Sequence, residues 1–419
     1  MKLSRIAILF LVGFLVYLLL LDSNPSTMIF RVCICAICLY CFKKGSKESN
    51  LINPYYLFMV TPLSLLLYTD TFAPIYLNPL NMKTWLLATI NILGFLLGYE
   101  MVRDRHKIVP IPFRNSRSAR NVRRHIIVLG VLSVIPVLFR YLHISIPLRS
   151  FMGFFGYIGL AMAYKSQIRS NIILASLFIL ICFLEDFNKS RFLTFSLASL
   201  ICYESYFVKT DYQKRKILFG ILGVTIFMLL VAFPLKTYIR DGGSYIDFAN
   251  QVSDVSESTF EYYDSKFNSS GPDFLKMPYM YLVSSWNNLQ YVVQTQDSRT
   301  YGLWSLKPLL TYCGLSTQFE NYYTLIPEST FNTFTYISVL FKDFGYWASV
   351  FGSLFLGAFV KLVKIRAIKN GSSFDIASYS LVCFATFQMY FSNHFFGMSY
   401  PFTIIIIGYV YKKLFKVDI

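Results

Sequence analysis

The run Ile217-Leu-Phe-Gly-Ile-Leu-Gly-Val-Thr-Ile-Phe-Met-Leu-Leu-Val-Ala-Phe-Pro234 carries no charge, and Thr225 is its sole polar side chain. Lys214, Arg215 and Lys216 abut its start, and Lys236 follows its end. A bilayer's hydrocarbon core is about 30 Å thick and is crossed by roughly 20 helical residues. Inside it every backbone N–H and C=O must be paired within the protein, so only helices or a closed barrel can span it. Barrel strands alternate apolar and polar residues, whereas this run is apolar almost throughout; it therefore reads as a membrane helix.

Working outward, similar runs cover 6–21, 28–42, 51–68, 84–100, 125–140, 150–164, 171–186, 190–207, 345–360, 374–392 and 399–411. With 217–235 they make twelve candidate spans. Two, 28–42 and 399–411, are short for a crossing and must either extend into their flanks or tilt less than average. Composition agrees: of 419 residues 55% are hydrophobic and only 15% charged, too little charge to coat a soluble globule of this size. The run 6–21 is followed by no small-residue cleavage site, so it reads as a retained helix rather than a signal peptide.

Basic residues set the orientation, because short cytoplasmic loops accumulate Lys and Arg. With the N-terminus inside, 26 of them fall on inside segments. Five lie at the short outside loops (Lys83, Arg140, Arg149, Lys189, Arg191), and Arg31 lies near the outer end of the second span. Both termini are then cytoplasmic. This bias explains the net charge of +17 without a nucleic-acid partner, and the basic inner face suits anionic lipid headgroups. Of eight cysteines, four (Cys33, Cys35, Cys38, Cys41) crowd the second span, where helix packing is the simpler reading than a soft-metal site.

The weave is interrupted by residues 236–344, placed outside. This 109-residue stretch has seven Lys/Arg and eleven Asp/Glu, a net charge of −4 against +21 for the remainder. The expected organisation is all-α: nine transmembrane helices in 1–235, one large extracytoplasmic loop in 236–344, and three helices in 345–419. Within the loop, Tyr279, Leu282, Val283, Trp286, Leu289 and Val293 recur at spacings of three and four, with polar residues between them. They predict an amphipathic helix lying on the membrane surface or against the bundle. The loop's 23 aromatics read either as an interfacial belt or, for rings such as Trp286, as platforms for sugar faces.

Charges near membrane depth need a reason, since each costs about 2.5–3.5 kcal/mol at mid-helix on insertion scales. Arg191 opens the eighth span at its outer end, and Arg240 follows the ninth on the same side; with Lys189 and Lys236 they would ring one pocket. Guanidinium forks suit phosphate oxygens, and several cations together neutralise a departing diphosphate. The simpler alternative pairs Arg191 with Glu185 or Asp186, and Arg240 with Asp241. A second cluster, Asn332-Thr333-Phe334-Thr335-Tyr336, precedes Lys342-Asp343-Phe344-Gly345. Asp343 either caps a helix start or orients and deprotonates a sugar hydroxyl. His394, in the last outside turn, is either an acid/base or an interfacial histidine. No histidine or carboxylate pair has metal-ligand spacing, and neither metal nor cofactor is expected.

Taken together, the pattern resembles the Wzy-type oligosaccharide repeat-unit polymerases that build bacterial O-antigen and capsule. The resemblance rests on ten to fourteen spans and one large outside loop in the second half. It rests also on Asn188-Lys189-Ser190-Arg191 at a span start, and on Asn332-Thr333-Phe334-Thr335 followed by Lys342-Asp343-Phe344-Gly345-Tyr346-Trp347. A loop motif of some members, Arg with Gly after ten residues, is not matched at Arg240, where Asn250 and Gln251 stand. The resemblance implies a glycosyltransferase of the inner membrane that joins undecaprenyl-diphosphate-linked oligosaccharides, with a chain-length regulator and a flippase as partners. It implies Arg191 and Arg240 at the leaving diphosphate, Asp343 or His394 as base, and Lys189, Lys236, Trp286, Asn332 and Thr335 as substrate contacts. An O-antigen ligase shares the donor and the large loop. A repeat-unit flippase would instead line a central cavity with its cations and show two related halves.

Overall fold

The computed structural model describes residues 2–20, 25–48, 52–68, 80–103, 118–142, 149–185, 189–207, 273–295, 299–312 and 334–391, with a few isolated positions. All regular structure among them is α-helix. In chain order the helices are α1 (Lys2–Leu20), α2 (Pro25–Gly45), α3 (Pro54–Leu66), α4 (Met82–Met101), α5 (Ser118–Tyr141) and α6 (Arg149–Ser166). There follow α7 (Arg169–Glu185), α8 (Lys189–Tyr206), α9 (Asp273–Thr295), α10 (Leu303–Tyr312), α11 (Tyr336–Asn370) and α12 (Ser373–Gln388). The first eight coincide with the first eight apolar runs, and the short second run does extend into its flanks. The expected spans 217–235 and 399–411 lie almost wholly outside the described residues.

Among the described residues, four segments are long and apolar enough to cross a membrane: Pro25–Gly45, Met82–Met101, Val122–Phe139 and Tyr336–Asn370. Shorter apolar helices, Leu9–Leu20, Pro54–Leu66 and Arg169–Cys182, stand beside them. The outward faces are apolar too. On α11, Trp347, Phe351 and Phe355 are 74%, 73% and 68% exposed, and α7 turns out Ile173, Leu177 and Leu180. Such a surface is at home in hydrocarbon, not in water.

Local chemistry fixes the helix ends. Asn53 and Asn81 cap α3 and α4, their side-chain oxygens accepting from Tyr56 N (3.2 Å) and Thr84 N (2.8 Å). Gly371 ends α11 in the left-handed conformation with φ 58°, and Ser372 then caps α12.

Packing divides the helices into two groups. The tightest pair is α4 with α11, where small residues let the backbones meet: a Cβ on Gly98 would stand 1.9 Å from the Leu354 carbonyl oxygen, and one on Gly357 1.9 Å from that of Phe95. Asn91 fills the same seam, its Nδ2 donating to Ser349 Oγ (3.0 Å) and its Oδ1 accepting from Ser353 Oγ (2.6 Å). Helices α5 to α8 form the second group, and α12 joins the two by packing on α3, α6, α8 and α11. It is buried on nearly every side.

One end of the bundle is closed by ion pairs and phenols. Glu100 accepts from Tyr55 OH (2.6 Å), Tyr40 OH (2.7 Å) and Lys44 Nζ (3.4 Å). Lys364 pairs with Glu48 (2.5 Å), and Arg366 with Asp375 (2.7 Å). At the opposite end the buried Arg31 donates to Tyr68 O (3.1 Å) and Leu18 O (3.4 Å), with its guanidinium 5.2 Å from the Trp85 ring centre. It thereby satisfies carbonyls near the ends of α1 and α3.

Of the two positions expected for the helix in 236–344, on the membrane surface or against the bundle, the structure has the second: α9 packs on α3, α4 and α11, and Ser284, Ser285, Asn287, Asn288 and Gln290 are as buried as Val283, Trp286 and Leu289. Its polar face is covered because neighbouring helices supply partners, such as Asn81 N donating to Gln290 Oε1 (2.6 Å). Helix α10 was not anticipated. Helix α11 begins at Tyr336 rather than at residue 345, and Gly345 is a kink within it.

Candidate functional site

The kink builds the site. Gly345 has φ 77° and ψ −165°, a conformation that L side chains rarely adopt, and it interrupts α11 two residues after Asp343. The Asp343 side chain is fully buried. Its Oδ1 accepts from Thr300 Oγ1 (2.5 Å) and Trp304 N (3.0 Å). Its Oδ2 accepts from Ser305 N (2.8 Å) and from Ser305 Oγ. Trp304 and Ser305 belong to the first turn of α10, whose free N–H groups and positive dipole end attract a carboxylate. Asp343 therefore caps a helix, but a neighbour's rather than its own.

The segment leading into α10 is laid along the same stretch of α11. Thr300 N donates to Lys342 O (3.2 Å), Tyr301 N to Asp343 O (3.1 Å) and Arg299 Nη1 to Phe341 O (3.1 Å). The Arg299 guanidinium also lies 4.5 Å from the Phe341 ring centre. To make this approach the chain turns through Tyr301 and Gly302, with φ 47° and 92°. A left-handed aromatic residue is unusual, and Tyr301 is 84% exposed, so its ring stands out beside the junction. The rings of Trp304 and Phe334 meet edge to face at 6.4 Å. Lys342, by contrast, is only 6% exposed as a residue, and both the Arg299 guanidinium and the Asp343 carboxylate are close enough to act on its charge, with opposite signs. Among the described residues neither cation has an ion-pair partner.

Of the residues singled out from sequence, Asp343 stands at this junction, while Thr335, about two helical turns earlier, is buried and caps α11, its Oγ1 accepting from Ser338 N (3.2 Å). Arg191 is half-buried at the start of α8, where Nη1 donates to Cys182 O (2.9 Å) near the C-terminal end of α7. The acidic partners weighed for it, Glu185 and Asp186, lie outside the residues whose side chains are described. Helix α12 packs on both α8, which carries Arg191, and α11, which carries Asp343. The backbone of α12's end is tied to the junction side, with Tyr336 N donating to Met389 O (3.1 Å) and Ser285 Oγ to Tyr390 O. Trp286 is corrected from sugar platform to core: it is 0% exposed and donates Nε1 to Ser64 Oγ (3.0 Å), leaving no ring face for a ligand. Lys189 begins α8. Lys236, Arg240, Asn332 and His394 lie outside the described residues.

Sequence reading missed Arg299, Thr300 and Ser305, and gave Lys342, though quoted beside Asp343, no role. A signal existed: Thr300-Tyr301-Gly302 is turn chemistry ahead of an apolar run, the pattern of a capped helix start. Nothing in the sequence said that the cap would come from residue 343. In comparisons with known proteins, the chain matches no family model, no curated protein and no solved structure.

Proposed function

We propose that this chain is a glycosyltransferase that extends lipid-diphosphate-linked oligosaccharides on the outer face of a bacterial inner membrane. The observation that carries this reading is the junction of α10 and α11, where two cations, a buried carboxylate and the Trp304–Phe334 ring pair lie at one end of an apolar helix bundle. Lipid-facing sides admit prenyl chains, the cations attract diphosphate, and aromatic edges suit sugar faces.

In the reaction, the acceptor hydroxyl attacks the anomeric carbon of the donor glycan and forms the new glycosidic bond. The bond from that carbon to the donor's diphosphate breaks, and the diphosphate leaves with the electron pair, stabilised by Arg191 and Arg240. The hydroxyl proton passes to a base. Both Asp343 oxygens are engaged by Thr300, Trp304 and Ser305, so Asp343 acts as a positioning residue and His394 is the proposed base.

The test is reconstitution of the full chain in liposomes with a single-repeat undecaprenyl-diphosphate oligosaccharide. A ladder of products spaced by one repeat unit is the expected result. Transfer only to an added lipid A core would make the protein a ligase, and movement of the glycolipid across the bilayer without new glycosidic bonds would make it a flippase; either overturns the proposal.

A further inference from the structure

Helix α11 folds back on itself at its kink. A Cβ on Gly352 would stand 2.6 Å from Leu340 Cδ2, whereas residues 340 and 352 of a continuous helix would be about 18 Å apart. Tyr336, Ser349 and Ser353 likewise meet at one residue of α4. Tyr336 OH donates to Asn91 O (3.2 Å), Asn91 Nδ2 to Ser349 Oγ (3.0 Å) and Ser353 Oγ to Asn91 Oδ1 (2.6 Å). The 336–344 arm and the 346–370 arm therefore lie side by side as a hairpin that turns at Gly345. The turn sits at the start of α4, where Tyr346 OH donates to Lys83 O (3.0 Å). Asn91 is the tenth of the 20 residues of α4, so the other end of the short arm lies about 12 Å deeper, near half the depth of the bundle.

A second helix stops at that depth. The 16 residues of α12 cover about 24 Å of a hydrocarbon core about 30 Å thick. Just past its end, Met389 O accepts from Tyr336 N (3.1 Å) and Tyr390 O from Ser285 Oγ. One helix thus begins where another ends. The side chains around the meeting point are polar but uncharged: Ser285 of α9, Thr335 and Ser338 of the short arm, and Gln388 of α12, all buried. Interrupted backbone at membrane depth is tolerated where it is packed in protein or lines a polar site, and broken helices converge on such sites in membrane bundles. Hydroxyls and an amide without charge suit the hydroxyls of a sugar ring, not a diphosphate.

We propose that the 336–344 arm is a gate, which pivots on its outer end and draws its inner end away from α12 to admit a sugar unit of the glycan between the arm, α9 and α12. This rests on the glycosyltransferase reading above. The two ends of the arm are held differently. At the outer end Asp343 is fastened to Thr300, Trp304 and Ser305 by charge-assisted bonds. At the inner end Tyr336 is held on α12 and α4 by two neutral bonds, which sugar hydroxyls can take over. Gly345 lies at the pivot, with no Cβ to resist a change of dihedral angles.

The experiment measures the reaction of introduced cysteines with a charged methanethiosulfonate on the full chain in nanodiscs, with wild type as background and elution on size exclusion as the check of fold. Ser285→Cys and Ser338→Cys are expected to react although both positions are buried, and a saturating single-repeat undecaprenyl-diphosphate oligosaccharide should slow both about tenfold. Undecaprenyl diphosphate without glycan should leave both rates unchanged. Val382→Cys, about two turns deeper on α12 and equally buried, should not react. The proposal is overturned if neither serine position reacts, if the glycolipid protects neither, if the glycan-free lipid protects as well, or if position 382 reacts as fast. The glycan ladder is assayed on wild type in parallel. A ladder with unreactive cysteines rejects the gate and leaves the transferase reading standing, whereas protection without a ladder keeps the gate and rejects the transferase.

Discussion

The Asp343 carboxylate accepts a hydrogen bond from the Ser305 backbone N–H at 2.8 Å, so one side chain fastens the start of α10 to the kink of α11. Asparagine at 343 keeps an acceptor for Thr300 and Trp304 but turns an amide donor toward the Ser305 N–H. Asp343→Asn should therefore cost about 1–3 kcal/mol, and Ser305→Ala, which removes a single hydroxyl bond, about 1 kcal/mol. The double variant should cost less than the sum, as measured by denaturation in detergent; strict additivity would mean that the two residues are not coupled.

Gly345→Ala tests the kink. At φ 77° and ψ −165° a Cβ is strained whatever the surrounding space, at an expected cost of about 1–3 kcal/mol. Because the nearest atoms belong to the flexible end of Arg299, trimming Arg299 to Ala should not rescue the variant's melting temperature. Rescue would show that crowding, not backbone conformation, selects glycine.

The seam between α4 and α11 is less forgiving. Alanine at Gly98 or Gly357 would meet a backbone carbonyl at 1.9 Å, so the helices must separate. The loss should exceed the roughly 1–3 kcal/mol of ordinary overpacking. Gly153→Ala faces open space within 4 Å and should be neutral or stabilising by up to about 1 kcal/mol. Steady-state protein in the membrane, read by immunoblot, ranks the three.

Arg31→Met fills the side-chain volume but leaves the Leu18 and Tyr68 carbonyls without their donor. Each buried acceptor so exposed costs about 1–3 kcal/mol, and Arg31→Lys, a point charge on a flexible stem, should recover only part of it. Thermal unfolding of the purified chain compares them.

For Arg191, alanine should abolish long glycan chains while leaving protein abundance and single-unit glycolipid unchanged. Gel analysis of cell-surface glycan beside an immunoblot reads both. Full-length polymer in that strain would remove Arg191 from the mechanism.

The helices of the N-terminal half were legible because the length of an apolar run is a one-dimensional property, and hydrocarbon admits few answers to it. Helix α9 was half legible. Its spacing of Val283, Trp286 and Leu289 marked a helix, but periodicity could not reveal that Asn287, Asn288 and Gln290 would be covered as well. Helix α10 escaped because it is ten residues long, contains Pro308, and owes its start to a side chain 38 residues away.

Run lengths and the placing of Lys and Arg thus determined, from sequence alone, that the chain is helical and where most of its helices lie. Only tertiary packing decided that Gly98 and Gly357 would bring two backbones into contact, and that α12 would pack on both α8 and α11. It likewise decided that Arg299 and Lys342 would share one buried junction. The physical reason is that hydropathy acts residue by residue, whereas a buried charge or a missing Cβ takes its meaning from atoms that the chain brings near only once it has folded.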